Sequence, residues 1–177
     1  MSSTSEGGVP LVRQLLAIVL LPGTVVVLVP VLILARGRGP EIGWGLPDGL
    51  AVVPVVAGAF LMAAGFALWL RSVRLFAQIG KGTLAPWDPT RRLVVVGPYR
   101  YVRNPMISGV LGVLIGEAAL FGSPALAAWC GVFFVMNAVW FVVYEEPGLV
   151  DRFGDEYRGY KRNVPRWIPR RTPWSPG

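Results

Sequence analysis

The chain contains no histidine and a single cysteine, Cys130, among its 177 residues. Histidine-ligated metal sites, Cys-x-x-Cys sites and Cys-His nucleophile pairs are therefore excluded, and we predict a protein without a metal. No disulfide can form within one chain, so cysteine usage indicates no particular redox compartment. Cys130 lies inside an apolar run, where we expect it to be a small buried hydrophobic residue.

Charged residues are also scarce, because they make up only 15% of the chain while hydrophobic residues make up 54%. An average soluble domain carries about 25% charged residues, so this composition is typical of an integral membrane protein. The formal net charge of +7 is interpreted as a consequence of membrane topology. We predict membrane lipids as partners and no nucleic acid.

Long segments without charge predict the architecture, because a helix needs about 20 apolar residues to cross the bilayer core. The first of them contains Pro22, Gly23 and Pro30, which predict a kink. The fold class predicted is an all-α integral membrane protein with four transmembrane helices and a cytoplasmic C-terminal amphipathic helix, in a single domain of residues 1–177. The predicted spans are residues 11–35, 49–70, 105–122 and 124–144.

The distribution of basic residues predicts the orientation. Seven Lys or Arg lie in residues 71–103 and seven in residues 145–177, against two in the loop after the first span. Basic loops stay in the cytoplasm, so a multi-pass protein of the cell membrane with both termini cytoplasmic is expected. On this hypothesis Lys81 and Arg170 are cytoplasmic, while Gly39 and Ser123 are external.

One segment, GPYRYVRNPMISG from Gly97 to Gly109, combines arginines and tyrosines with the start of the third span. The residue before a proline is disfavoured in a helix, so Asn104 is predicted to cap a helix that begins at Pro105. The aromatic and basic residues before it should then lie at the cytoplasmic mouth of that helix. A second special segment, from Tyr144 to Tyr160, is predicted at the same side.

The sequence GPYRYVRNPM, followed later by EEPGLVDRFGDEYRGYKRNVPRWIP, resembles the isoprenylcysteine carboxyl methyltransferase and phospholipid methyltransferase superfamily. The resemblance covers about half of the chain, and its two motifs occur in the family's order. These are small integral-membrane enzymes that use S-adenosylmethionine. Two positions depart from the family pattern: Asn104 stands in place of the usual histidine, and Ile107 in place of a frequent tyrosine.

The resemblance implies methyl transfer from S-adenosylmethionine to a lipid-soluble or amphiphilic acceptor, with the cofactor bound near residues 97–109 and 144–169. This cofactor needs cations for its carboxylate, carboxylates for its amine or ribose hydroxyls, and aromatic faces for adenine. The predicted cofactor-binding residues are Tyr99, Arg100, Arg103, Asn104, Glu145, Glu146, Tyr157 and Arg166. Arg103 and Asn137 are the candidates for a catalytic role. Glu117 is expected to reach the external turn and is left outside the site.

Structural alternatives compete with these roles. Arginines at this boundary can contact lipid phosphates, and an acidic pair before Pro147 can compensate a helix dipole. Two further functions stay open: an NADPH-dependent membrane reductase related to sterol reductases, and a non-catalytic membrane protein. The acceptor can be a carboxylate, an amine or a thiol, and the absence of a histidine base favours a carboxylate.

Overall fold

In the computed structural model of the chain, residues 22–37, 39–79 and 92–175 are described. Helical segments account for the regular structure of these ranges, which contain no strand, so the all-α class is confirmed for them. The helices are α1 (Val29–Arg36), α2 (Asp48–Ile79), α3 (Pro105–Phe121), α4 (Pro124–Trp140) and α5 (Glu146–Asn163). Short 3-10 helices, Ile42–Gly45 and Gly97–Arg100, precede α2 and α3.

Two π-helical turns, Thr24–Leu28 and Phe141–Glu145, lead directly into α1 and α5. In both cases a proline, Pro30 or Pro147, follows the turn two residues later. Proline has no N–H to donate to the helical ladder, so the preceding turn widens without the chain leaving the helix. The first predicted span therefore contains a π-helical turn before Pro30, while the predicted kink stays a prediction. Helix α4 continues into α5 as one helical path.

The helices have the length and composition of membrane helices to different degrees. Asp48–Phe76 and Pro124–Asn163 are long and apolar enough to cross a bilayer, whereas Thr24–Arg36 and Pro105–Phe121 are shorter apolar helices. Two crossings thus have direct support, and the predicted count of four remains a prediction. Residues 11–21 of the first predicted span, and Lys81, lie outside the described residues.

Helices α2 and α3 cross with their backbones in direct contact. A Cβ atom added at Gly65 would lie 2.6 Å from the carbonyl oxygen of Gly109, and one added at Gly58 would lie 2.7 Å from that of Gly116. Any side chain at these crossings would force the helices apart. The small residues of the second span therefore serve the close helix approach expected of membrane bundles.

The loop before α2 packs on the turn between α3 and α4. The backbone N–H of Glu41 donates to the carbonyl of Phe121 at 2.8 Å, and the indole Nε1 of Trp44 donates to that of Ala119 at 2.9 Å. Gly122 ends α3 in the left-handed conformation (φ 58°), where a Cβ would collide with the Glu41 carbonyl oxygen. Residues 41–44 and the turn at Gly122 between α3 and α4 therefore lie at the same end of the bundle.

The flanks of α2 and α4 carry large apolar side chains that no other part of the described chain covers. Phe60 on α2 is 70% exposed and Met136 on α4 is 62% exposed. Continuous exposed surfaces of this kind are unusual on soluble monomers, where they mark interaction with a membrane or a partner. Helix length and these exposed faces together indicate a membrane protein.

Candidate functional site

The segment that starts α3 and the C-terminal tail lie against each other. The backbone N–H of Arg103 donates to the Pro165 carbonyl, that of Arg170 to the Tyr101 carbonyl, and that of Trp174 to the Arg100 carbonyl, each at 2.9–3.0 Å. These bonds satisfy main-chain groups that a loop alone would leave to water. The two motifs, far apart in sequence, are therefore joined at one end of the bundle.

Glu146 is the centre of this junction. Its Oε1 atom accepts hydrogen bonds from Arg103 Nη1 at 2.9 Å and from Arg166 Nε at 2.6 Å, while Oε2 lies 2.6 Å from Lys161 Nζ. The side chains of Glu146 and Arg103 are only 4% and 9% exposed. We call Arg103, Glu146, Lys161 and Arg166 the Glu146 cluster. Three positive groups surround one negative group in it, which leaves an excess of two positive charges.

The cluster keeps Glu146 ionised. Burial on its own raises the pKa of the carboxyl group, but hydrogen bonds from Arg166 and Lys161 and the charge of Arg103 outweigh burial and lower the pKa to about 2. Taking a carboxylate out of water costs several kcal/mol unless partners compensate it. Here the compensation comes from cations on three separate segments, so these ion pairs also hold the three segments together.

Two buried tyrosines of α5, Tyr157 and Tyr160, lie next to the cluster. Arg103 Nη1 donates to the Tyr157 hydroxyl at 3.2 Å, and the Tyr160 hydroxyl donates to the Tyr99 carbonyl at 2.7 Å. Tyr157, Tyr160 and Val164 form a buried core, each at most 3% exposed. Burial raises the pKa of the phenols of Tyr157 and Tyr160, so both stay protonated at neutral pH.

Two polar side chains at the cluster, those of Arg103 and Asn104, each lack a hydrogen bond that their position would lead one to expect. Arg103 Nε is buried without a hydrogen bond. Asn104 is only 9% exposed, and although it occupies the N-cap position of α3, its side chain makes no capping hydrogen bond. The predicted cap is therefore wrong. The Asn104 backbone (φ −118°, ψ 56°) lies outside the extended conformation of an N-cap, so its side-chain oxygen does not reach the first amides.

The structure separates other predicted residues from the cluster. Glu145 is exposed and accepts a hydrogen bond from Trp140. Arg100 Nε donates to the Trp174 carbonyl at 2.7 Å and its Nη2 to Ser175, so Arg100 holds the tail. The Asn137 amide donates to the Phe133 carbonyl in its own helix at 2.8 Å. The structure thus brings together Tyr99, Arg103, Asn104, Glu146, Tyr157 and Arg166 from the predicted set.

Glu117 does not extend to solvent at the Gly122 turn, contrary to the expectation that it reaches this turn. It is 6% exposed, and its Oε2 atom has no hydrogen-bond partner within the described part of the chain. It lies on α3 one turn before the Gly122 turn, at the end of the bundle opposite to the junction. Glu117 therefore stays outside the candidate site.

Sequence reasoning missed two participants. Lys161 follows Tyr157 by four residues and so shares its helix face, a spacing that identifies it as a neighbour of the cluster. Trp174 packs on the Tyr160 ring with centroids 5.9 Å apart, and its place depends on how the irregular tail turns back. No periodicity in the tail predicts that path.

Comparison with known families identifies the class of protein. A sequence model of the phospholipid methyltransferase family matches residues 53–156, more than half of the chain. The chain belongs to this family. The match contains most of α2, all of α3 and α4, and the first turns of α5, so it includes both Arg103 and Glu146.

Curated relatives are also methyltransferases. Methanethiol S-methyltransferase 2 of Bradyrhizobium diazoefficiens is 33% identical over 75 residues, which cover 41% of this chain and 27% of the relative. Methanethiol S-methyltransferase of Pseudomonas deceptionensis is 33% identical over 82 residues, 44% of this chain and 29% of the relative. The matched regions thus span less than a third of these relatives. No solved structure matches the chain significantly.

Proposed function

We propose that the protein transfers a methyl group from S-adenosylmethionine to a lipid-soluble or amphiphilic acceptor, and that the cofactor binds beside the Glu146 cluster. The observation that carries this proposal is the buried pair of Arg103 and Glu146, whose atoms are 2.9 Å apart. It joins the two segments in which the chain resembles membrane methyltransferases. Family membership supports a membrane methyltransferase.

The chemistry of the cluster fits this cofactor. Arg103 Nε is a buried donor without a partner, and a carboxylate is the group that an arginine binds best. The excess positive charge of the cluster favours the same group. Glu146 accepts bonds from three cations but retains acceptor capacity, because an ionised carboxylate offers about four lone-pair positions. Arg103 would hold the cofactor carboxylate, while Glu146 or the exposed Glu145 would receive its amine or ribose hydroxyls.

The chain's own residues would act by positioning. When bound, the cofactor supplies an activated sulfonium methyl group, so orientation of the acceptor and exclusion of water carry most of the rate enhancement. Arg103 is fixed by Glu146 and Tyr157, and that fixation sets the orientation of whatever it binds. Neither Glu146 nor the neighbouring Tyr157 is an effective general base at neutral pH, since the low pKa of Glu146 makes its carboxylate a weak proton acceptor and Tyr157 is protonated. The acceptor therefore arrives deprotonated, as a carboxylate, thiolate or free amine.

Calorimetry in detergent with S-adenosylmethionine and NADPH tests the cofactor. We expect binding of S-adenosylmethionine alone, with Arg103→Lys weakening it on the order of tenfold because lysine lacks the Nε donor and the planar fork. Arg158→Lys is the matched control, since Arg158 is 58% exposed and pairs only with Asp155 on its own helix. Binding of NADPH instead would establish a reductase, and binding of neither a non-catalytic protein.

The acceptor is tested by transfer of labelled methyl groups to a panel of three classes. A small thiol represents the acceptor in the names of the curated relatives. A phosphatidylethanolamine represents an amine carried by a phospholipid, the substrate class in the family's description. A prenylated cysteine represents the carboxylate. The exposed apolar faces of α2 and α4 suit acceptors that arrive through the bilayer. Labelling of none of the three, with cofactor binding intact, would refute the acceptor class.

Four membrane crossings with both termini in the cytoplasm are part of the proposal. The contact of Glu41 with Phe121 supports it, because the first loop and the α3–α4 turn then share one membrane side. Cysteine labelling of intact cells, in a Cys130→Ala background, should modify Gly39→Cys but neither Lys81→Cys nor Arg170→Cys. Ser123 is only 8% exposed, so labelling at that position is not used. External labelling of Lys81→Cys or Arg170→Cys would contradict this orientation.

A further inference from the structure

An open cleft of about 410 Å³ lies between the end of α2 and the 3-10 helix that precedes α3. Its lining residues are Arg71, Gly97, Pro98, Arg100 and Tyr101. Two arginines and a tyrosine thus line the cleft, and none of its lining residues in the described ranges is acidic. We refer to it as the Arg71–Arg100 cleft.

The two arginines of this cleft have no carboxylate partner among the residues that the structure describes. No salt bridge within the described part of the chain involves either of them. Arg100 donates only to neutral oxygens, those of the Trp174 carbonyl and the Ser175 hydroxyl. Two cations that face one cleft repel each other, so an anion between them would be stabilised by both.

The backbone around the cleft is closely fitted. Gly97 has a positive φ of 54°, and a Cβ atom there would lie 2.7 Å from Leu75 Cδ1 on α2. Glycine at this position therefore lets the 3-10 helix lie directly on α2. Arg100 is fixed from the other side by its bonds to the tail, so one arginine of the cleft is held in a defined orientation.

The height of the cleft along α2 indicates the source of the anion. Arg71 is the first charged residue after the uncharged stretch of residues 49–70, which is where a membrane helix leaves the hydrocarbon core. A guanidinium at this level faces lipid headgroups, whose phosphates carry the negative charge. Arginine binds phosphate oxygens through two parallel hydrogen bonds, which a diffuse surface charge cannot do.

We propose that the Arg71–Arg100 cleft is a binding site for the phosphate of a membrane phospholipid headgroup. The site requires only that α2 crosses the bilayer, and it is independent of the cofactor proposed at the Glu146 cluster. Its occupant is a lipid with a net negative charge, such as phosphatidylglycerol, because two arginines and no acidic residue line the cleft among the described residues. A bound lipid would fill the open side of the cleft next to the membrane.

The test is native mass spectrometry of the detergent-purified full chain titrated with phosphatidylglycerol, with phosphatidylcholine and inorganic phosphate as separate arms. We expect one phosphatidylglycerol per chain, with affinity reduced about tenfold in Arg71→Gln because charge-assisted hydrogen bonds are lost. Arg74→Gln is the matched control: Arg74 is an exposed arginine on the same helix that does not line the cleft. Arg71→Lys should give an intermediate affinity, since it keeps the charge but loses the fork.

Three outcomes would overturn the site. Equal loss in Arg71→Gln and Arg74→Gln would mean a general surface charge effect. Retention of inorganic phosphate as strongly as of lipid would mean a free-anion site. Unchanged lipid affinity in both Arg71 variants would place the lipid elsewhere. S-adenosylmethionine affinity, measured on the same samples, should be unchanged in Arg71→Gln, so the outcome here is separate from that of the proposed methyl transfer.

Discussion

The two arginine sites at the tail end of the bundle differ in how their charge is balanced. Arg103 is 9% exposed in its side chain and is paired with Glu146, whereas Arg71 is exposed and has no carboxylate partner in the described part of the chain. A buried guanidinium must be compensated by the protein, while an exposed one can leave that to water or a ligand. One site therefore holds the fold together, and the other remains open to an external anion.

Removal of the compensating charge should produce the largest effect. Glu146→Gln leaves Arg103 buried without a carboxylate, and we expect a loss on the order of 3 kcal/mol in the free energy of unfolding, the lower end for a broken buried pair. The lower end applies because Lys161 and Arg166 are 42% and 28% exposed and can return to water. Unfolding in detergent micelles measures it, and S-adenosylmethionine affinity should fall as well.

Glu145→Gln is the control for this change, since Glu145 is its exposed neighbour with the same chemistry. A stability change within about 0.5 kcal/mol is expected there, as for ordinary surface substitutions. If both variants lost stability equally, a helix-dipole effect of the acidic pair would explain the result better than the cluster.

A substitution at the contact between α2 and α3 should disturb both arginine sites, because each site includes a residue near the end of one of these helices. In Gly109→Ala the new methyl group meets the backbone of Gly65 and Trp69 at 2.7 Å, so overpacking should cost about 2 kcal/mol of stability. Gly131→Ala on α4 is the matched control, because nothing lies within 4 Å of a Cβ atom there. Melting temperatures in detergent decide it, and a stable Gly109→Ala protein would show that the helices separate without cost.

Acid should weaken the Glu146 cluster but leave the Arg71–Arg100 cleft unaffected. The pKa of Glu146 is about 2 when folded and about 4.5 when unfolded, so its contribution is complete above pH 4.5 and is lost as pH falls toward 2. At pH 3.5 about 1.4 kcal/mol should be missing relative to pH 7. The measurement is the pH dependence of unfolding in wild type minus that in Glu146→Gln, and identical profiles would contradict the shift.

Asn104→Ala should change stability least, by less than about 0.5 kcal/mol, because its side chain makes no capping bond. If the side chain instead binds the cofactor, S-adenosylmethionine affinity should fall about fivefold, the equivalent of one hydrogen bond. Asn104→Asp should retain the fold. Because aspartate has the shape of asparagine without its NH2 donor, this variant shows whether cofactor affinity depends on that donor. A stability loss of about 1 kcal/mol with unchanged affinity would restore the capping hypothesis.

Local chemistry predicted much of the helical framework. Pro105 begins α3 and Gly122 ends it, as the preferences of proline and glycine require. The second predicted span, residues 49–70, lies within α2, which continues beyond it to Ile79. These features depend on neighbours in sequence, which a pattern records directly.

The partners of Glu146 could not be predicted in the same way. Gly154 bends α5 with φ 51° and ψ −126°, so a regular helical projection fails beyond it, and Arg166 reaches Glu146 only because the tail turns back. Asn104 likewise has irregular backbone angles (φ −118°, ψ 56°), and the backbone N–H of the preceding Arg103 is bonded to Pro165 in the tail. Tertiary contacts of this kind leave no local signature in the sequence.

The contact of Gly65 with Gly109 sets the positions of residues farther along α2 and α3, at the end of the bundle where the C-terminal tail packs. Arg71 follows Gly65 by six residues and Asn104 precedes Gly109 by five, so in antiparallel helices both lie about 8 Å beyond the crossing at ~1.5 Å per residue. The close contact of Gly65 with Gly109 restricts how far the two helices can slide, because a side chain at either position would collide with the facing backbone. The depth of the cluster and of the cleft relative to the lipid surface is thereby determined deep inside the bundle. One inserted residue between Gly65 and Arg71 would rotate Arg71 by about 100° around the helix axis. Arg71 would then no longer face the cleft, although no residue that lines it has been substituted.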